Sequence, residues 1–253
     1  MKKLLTAAAL ASALLLSAPA AFAENWVEVA GYQGRMIDTD SCKVQGNTPV
    51  LTVRPTDGTE MTIQFNKKDM TYQFLSLKRL DGNGKVIDEV PADKLAGHFL
   101  PLKEGSLISS LYMQYVAYPI PQLANAEWVT IYRTGMGANA GSRVSIDKNH
   151  LSYDGDYAVF WLKNDYVPAE KGIASQINQV KANMANNQAK ILSLTLYDEN
   201  GKILQHDARG EAAEVRDARQ GIMNEAVTFA REHILQGTRS VSYTHLTLPT
   251  NSL

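Results

Sequence analysis

The stretch Leu75-Ser76-Leu77-Lys78-Arg79-Leu80-Asp81-Gly82-Asn83-Gly84-Lys85-Val86 returns 117 residues later as Leu192-Ser193-Leu194-Thr195-Leu196-Tyr197-Asp198-Glu199-Asn200-Gly201-Lys202-Ile203. Upstream, Met36-Ile37-Asp38 with Gly46-Asn47 is matched by Ser145-Ile146-Asp147 with Gly155-Asp156 at an offset of 109, and Trp26-Val27 has its parallel in Trp128-Val129. Collinear self-similarity marks duplicated structural units. The offset changes by 8 between Leu162 and Gln176, where Asp165-Tyr166-Val167-Pro168-Ala169-Glu170-Lys171-Gly172 reads as a longer loop in the second copy. Two homologous domains are therefore predicted, 24–120 and 126–237, joined by a proline-containing linker at 121–125. Pro119 and Pro121 make Tyr118-Pro119-Ile120-Pro121-Gln122 an extended connector rather than a continuing helix.

Within each copy the pattern is mostly strand. Val50-Leu51-Thr52-Val53 and Met61-Thr62-Ile63-Gln64-Phe65 are rich in β-formers, and Thr56-Asp57-Gly58-Thr59 between them is a turn signal, so a hairpin is predicted. Asp154-Gly155 before Tyr157–Leu162, and Asn200-Gly201 between Ile191–Tyr197 and Lys202-Ile203-Leu204, are turns of the kind that join antiparallel strands. Ile173, Ile177, Val180 and Met184 have helical spacing, whereas the repeat sets Val180 and Ala182 against strand residues Ile63 and Phe65. Each copy closes with a helix. Ser106 caps one carrying Leu107, Leu111 and Tyr115, and Glu211–Leu235 places Val215, Ala218, Ile222, Ala226, Phe229 and Ala230 on one stripe. The predicted class is α+β, with two homologous domains, each an antiparallel β-sheet meander packed by a C-terminal helix.

Composition narrows the functional classes. The chain has 253 residues, 45% of them hydrophobic and 20% charged, with a formal net charge of −1. That disfavours a disordered, collagenous or basic nucleic-acid-binding protein. Lys2 and Lys3, the apolar run through Leu16 and the small residues of Ala21-Phe22-Ala23 read as a secretory signal peptide over 1–23, cleaved after Ala23. The run is shorter than the ~20 residues of a spanning helix, so no transmembrane segment is expected after cleavage. Removing it takes the charge from −1 to −3. Cys42 is the single cysteine, with no intrachain partner, so the core must hold this fold; no cysteine near the cleavage point supports a lipid anchor. The passage Val241–Thr250 looks like the translation of a transposase adapter used in sequencing libraries, and 238–253 is set aside as an artefact tail together with His245.

No motif carries a catalytic signature. Gly135-Met136-Gly137-Ala138-Asn139-Ala140-Gly141 lacks the spacing of a phosphate loop and is followed by a strand rather than a helix, so it reads as an inter-strand loop. Asp81-Gly82-Asn83-Gly84 and Asp198-Glu199-Asn200-Gly201 lack the third oxygen ligand and distant glutamate of an EF-type calcium loop and read as hairpin turns. His98, His150, His206 and His233 have no zinc spacing. Asp38 and Asp147, at equivalent positions, read as structural, through an Asx turn, and Cys42 as a small half-buried residue. No catalytic residue, cofactor, metal or nucleic-acid partner is assigned.

The order of signals resembles the surface-adhesin protein E-like family of bacterial envelope proteins, twice over. The likeness runs from the opening tryptophan through Ile-Asp, an aromatic strand, Leu-Ser-Leu-x-x-x-Asp-x-x-Gly-Lys and a closing helix, and is clearest in Tyr157–Leu162 and Ile191–Ile203. It implies an antiparallel sheet backed by a helix and an exported protein related to one that binds host matrix and serum proteins. Two features depart from the family. Lys67 and Met184 stand near the position of a cysteine that members pair with one in the last helix, and the known adhesin is a single-domain lipoprotein.

If they project outward, Tyr157, Trp161 and Tyr166 in the second copy and Tyr112 and Tyr115 in the first form a binding surface, since Trp and Tyr dominate hot spots; the alternative is that they fill the core. The expected function is an exported, non-enzymatic macromolecule-binding protein, periplasmic or at the cell surface, whose partners are host extracellular or envelope proteins. The alternative is a periplasmic structural or assembly protein of the envelope with no host ligand.

Overall fold

The structure is a computed structural model that describes residues 24–56, 58–135 and 141–242, with side chains to residue 234. The predicted signal peptide lies outside the described residues, as do Asp57, the centre of the glycine-rich loop and the tail beyond Ser242.

Among the described residues, the first half of the chain forms a seven-stranded antiparallel sheet: β1 (Trp26–Glu28), β2 (Met36–Lys43), β3 (Val50–Thr56), β4 (Thr59–Asn66), β5 (Thr71–Leu80), β6 (Val86–Glu89) and β7 (Leu100–Pro101). The first six pair in sequence order, and β7 pairs with β5. Helix α1 (Leu107–Leu111) follows and runs on as a π-helical turn over Tyr112–Ala117. Ser106 caps it, its side chain accepting from the Ser109 N–H at 3.1 Å.

Among the described residues the second half forms an eight-stranded antiparallel sheet: β8 (Trp128–Thr134), β9 (Gly141–Asp147), β10 (Ser152–Asp154), β11 (Tyr157–Glu170), β12 (Ile173–Asn183), β13 (Gln188–Tyr197), β14 (Ile203–Ala208) and β15 (Arg216–Asp217). Its order is β14-β13-β12-β11-β9-β8, with β10 on β11 and β15 on β13. Helix α2 (Gly221–Ser242) closes it. This helix begins ten residues later than the periodicity indicates. Val215 lies outside it and is 53% exposed, and Ala218 is buried just before its start.

Residues 173–184, where helical and strand readings compete, are strand as far as Asn183. Alternation along β12 buries Val180 and Ala182, as β4 buries Ile63 and Phe65. The segment read as a longer loop is strand as well. β11 continues to Glu170 and turns at Lys171-Gly172, so the additional residues lengthen a hairpin arm. Both flanks of the glycine-rich segment, β8 and β9, are paired antiparallel.

The fine geometry of the two sheets coincides. Leu75 and Leu192 are each the additional residue where the ladder slips, between Thr62 and Ile63 in one sheet and between Gln179 and Val180 in the other. Asp81 Oδ1 accepts from the N–H groups of Asn83 and Lys85 at 2.9 and 2.8 Å, and Asp198 Oδ1 from those of Asn200 and Lys202 at the same distances. Gly84 and Gly201 take φ of 79° and 76°, the left-handed conformation that favours glycine. Asp38 Oδ1 accepts from the N–H groups of Asn25 and Asp40, and Asp147 Oδ1 from those of Glu127 and Asn149, so each carboxylate ties the residue that precedes one strand to the neighbouring strand.

Two cores result. Ile37, Leu51, Val53, Ile63 and Phe65 meet Leu111, Tyr115 and Val116 in the first; Ile146, Phe160, Leu162, Val180 and Ala182 meet Ala226, Val227 and Ala230 in the second. They join at a seam on β14. His206 is fully buried there, its Nε2 lying 2.7 Å from the carbonyl oxygen of Gln114 and 2.9 Å from that of Tyr118. The Tyr118 ring also packs on Gly210, where an added Cβ would come within 2.2 Å of it.

Candidate functional site

Strand alternation sorts the candidate aromatics. On β11, Ala158, Phe160 and Leu162 point into the core. Tyr157 and Trp161 therefore share the opposite, outer face of the second sheet, Tyr157 being 44% exposed and Trp161 half-buried. Four residues along a strand separate them by about 13 Å.

Three other residues do not belong to that face. Tyr166 has the parity of Leu162, and its hydroxyl lies 3.4 Å from Gln176 Oε1 on the inner side. Tyr112 is half-buried with its ring 5.6 Å from that of Phe65, and Tyr115 is 1% exposed within the first core. For these two the reason is helical spacing: residues four apart, Ile108 with Tyr112 and Leu111 with Tyr115, fall on the face turned to the sheet.

Around Tyr157 the outer face forms a shallow groove of about 160 Å³, lined also by Lys181 and Asn183 of β12, Gln188 and Lys190 of β13, and Glu211. The register sets Lys181 opposite Lys190, a like-charge pair that is unfavourable unless neutralised. Glu211, in the 3-10 turn Gly210–Ala212, supplies that neutralisation. Its carboxylate lies 2.8 Å from Lys181 Nζ and 2.5 Å from Lys190 Nζ, and Lys190 also donates to its backbone carbonyl at 2.8 Å. The two lysines hold the Glu211 carboxyl below its ordinary range, and Glu211 in turn raises the Lys181 ammonium. Lys181 Nζ stands 5.0 Å from the Tyr157 ring centroid, a cation–π arrangement.

Two cations, one exposed carboxylate and an exposed phenol leave the groove with one surplus positive charge. Among the described residues no group of three or more His, Cys, Asp or Glu side chains is placed to hold a metal ion. Cys42 donates its thiol to the carbonyl of Asp38 at 3.4 Å, and burial with the nearby Asp38 and Asp40 charges pushes its pKa up to about 12, so it is a poor nucleophile. Among the described residues no helix is long and apolar enough to cross a membrane.

Lys181, Lys190 and Glu211 were not picked out from the sequence. The two lysines become legible once β12 and β13 are taken as a hairpin turning through Asn186-Asn187, because the register then sets them side by side. Glu211 has no such signal, since it returns from beyond β14.

Comparison with family models, with curated proteins and with solved structures finds no match.

Proposed function

We propose that this chain is an exported, non-enzymatic binding protein of the cell envelope. In this reading it consists of two homologous copies of one sheet-and-helix unit, 24–120 and 126–237, resembling the surface-adhesin protein E-like family. The repeated bulge at Leu75 and Leu192, and the repeated turns at Asp81 and Asp198, support the duplication. The observation that carries the binding role is the outer-face groove, where Tyr157 stands exposed beside Lys181, Lys190 and Glu211. An acidic segment of a partner protein would replace the Glu211 carboxylate on the lysines and lie against the Tyr157 ring.

Two measurements test this. Intact producing cells are treated with protease, with a periplasmic protein as leakage control; digestion of this chain alone supports exposure to host proteins, and protection until permeabilisation moves the reading to a periplasmic partner. In parallel, a photo-crosslinking amino acid is placed at Tyr157. Specific adducts that disappear with Lys181→Glu support the groove, whereas no adduct from Tyr157 alongside adducts from an exposed control position, Tyr132 of β8, removes it.

A further inference from the structure

The seam between the two sheets holds a second, chemically different cavity. It has about 150 Å³ and is walled by Thr39, Cys42, Val44, Tyr115 and Ile120 from the first half and by Ile203 from β14, with exposed Gln122 at its mouth. Cys42, Val44, Tyr115 and Ile120 all belong to, or pack against, the first core. The cavity is thus an inward extension of an apolar core, roofed by the second sheet.

One polar atom in that wall is unexplained. Tyr115 is 1% exposed, and its hydroxyl has no hydrogen-bond partner among the described residues. Buried hydroxyls are ordinarily paired, and leaving one unpaired is costly. Of the other polar side chains that line it, Thr39 donates its hydroxyl to the carbonyl of Asn25, Cys42 donates its thiol to that of Asp38, and Gln122 stands exposed at the mouth. A buried water needs two to four polar partners, and in the buried part of the wall the Tyr115 hydroxyl is the one side-chain donor left over among the described residues. An apolar cavity of this volume does hold a ring the size of benzene.

We propose that this cavity is a binding site for a small, neutral, largely apolar molecule carrying one hydrogen-bond acceptor, a cyclic ketone or ether in size and polarity, with the Tyr115 hydroxyl as donor. The sign of the surroundings sets the neutrality. Asp38 and Asp40 act on Cys42, and Asp207 acts on Tyr115, each disfavouring further negative charge. Burial keeps the Tyr115 phenol protonated, and so a donor, well above neutral pH. Because Ile203 belongs to the second sheet, an occupant also bridges the seam.

The test uses cyclohexanone and methylenecyclohexane, which share a ring and differ in the acceptor oxygen. Each is titrated into the 15N-labelled protein while amide shifts are followed, with Tyr157 as an internal control remote from the cavity. The expected result is saturable shifts at Cys42, Tyr115 and Ile203 with cyclohexanone bound about five- to tenfold more tightly, a preference lost in Tyr115→Phe. Filling the space with Val44→Phe should abolish both responses. Absence of saturable shifts with either ring overturns the site. Equal affinity for both rings in the unsubstituted protein overturns the role of the hydroxyl, and tighter binding of cyclohexanecarboxylate overturns the assignment of a neutral ligand.

Discussion

Nε2 of His206 faces two backbone carbonyls, those of Gln114 and Tyr118, and must therefore carry a proton. Nδ1 lies 2.8 Å from the Thr195 hydroxyl, which donates to it while the ring is neutral. Burial favours that neutral form and lowers the pKa of His206, against smaller opposing effects of the two carbonyls and Asp207. The unfolded chain takes up a proton near the ordinary histidine value, about 6.5, whereas the folded chain resists until lower pH. Stability contributed by His206 is thus present above about pH 6.5 and falls as pH drops towards the folded pKa, by up to about 1.4 kcal/mol per pH unit. The carboxylates whose pKa values are lowered, such as Asp165 and Glu211, lose their contribution only as pH falls below their unfolded values, about 4, towards their folded ones. Denaturant midpoints between about pH 7 and pH 5 exclude these carboxylates, and the difference between the unsubstituted protein and a His206 variant separates His206 from the other histidines. In His206→Gln, which keeps a donor and removes the titration, this part of the pH dependence should vanish; equal losses in the two proteins would rule it out.

At the scale of elements, the two cores solve one packing problem in different ways. Where the first core joins Phe65 of β4 to the one-turn helix α1, the second joins Ala182 of β12 to Ala226, Val227 and Ala230 of the much longer α2. Ala182, Ala226 and Ala230 are completely buried, and a close-packed interior has no room for additional methylenes. Ala226→Leu should therefore cost about 1–3 kcal/mol, read as a lowered urea midpoint with unchanged slope; unchanged stability would mean that the contact is looser than the complete burial of Ala226 indicates. Elements were legible in proportion to how local their causes are. The Asp81 and Asp198 turns are written in a few adjacent residues, and the repeat correctly weighted β12 as strand against its helical spacing. The start of α2 was misplaced because Val215 and Ala218 continue the helical period by coincidence, while the β15 pairing of Arg216 and Asp217 with β13 holds that segment extended. The groove was half legible. Alternation along β11 puts Tyr157 and Trp161 on one face, but only tertiary structure shows which face is covered, and Tyr166, four residues past Leu162, falls on the other one.

At the scale of the whole molecule, the seam decides whether the two sheets behave as one body. None of its contacts could be read from the sequence, because His206, Tyr118 and Gly210 meet across roughly ninety residues without a shared pattern. Gly210 is the position at which this coupling can be tested. Its φ of 54° is left-handed, so any other residue there bears a backbone cost of about 1–2 kcal/mol. Its missing side chain also admits the Tyr118 ring, whose Cε2, Cζ and hydroxyl oxygen would lie 2.2 to 2.8 Å from an added Cβ. In Gly210→Ala the ring has to leave, drawing on the same residue whose carbonyl accepts from His206. Calorimetry of the unsubstituted protein should give one transition, and Gly210→Ala should split it as the first sheet loses its hold on the second. Tyr118→Ala separates the causes: in that background the substitution at Gly210 retains its backbone cost and adds no uncoupling, a non-additivity that a double-mutant cycle measures. A single unshifted transition in Gly210→Ala would show that the sheets are held together elsewhere. The same substitution also moves the 3-10 turn that carries Glu211 to Lys181 and Lys190, so loosening the seam should weaken capture at the Tyr157 groove even though no groove residue has changed.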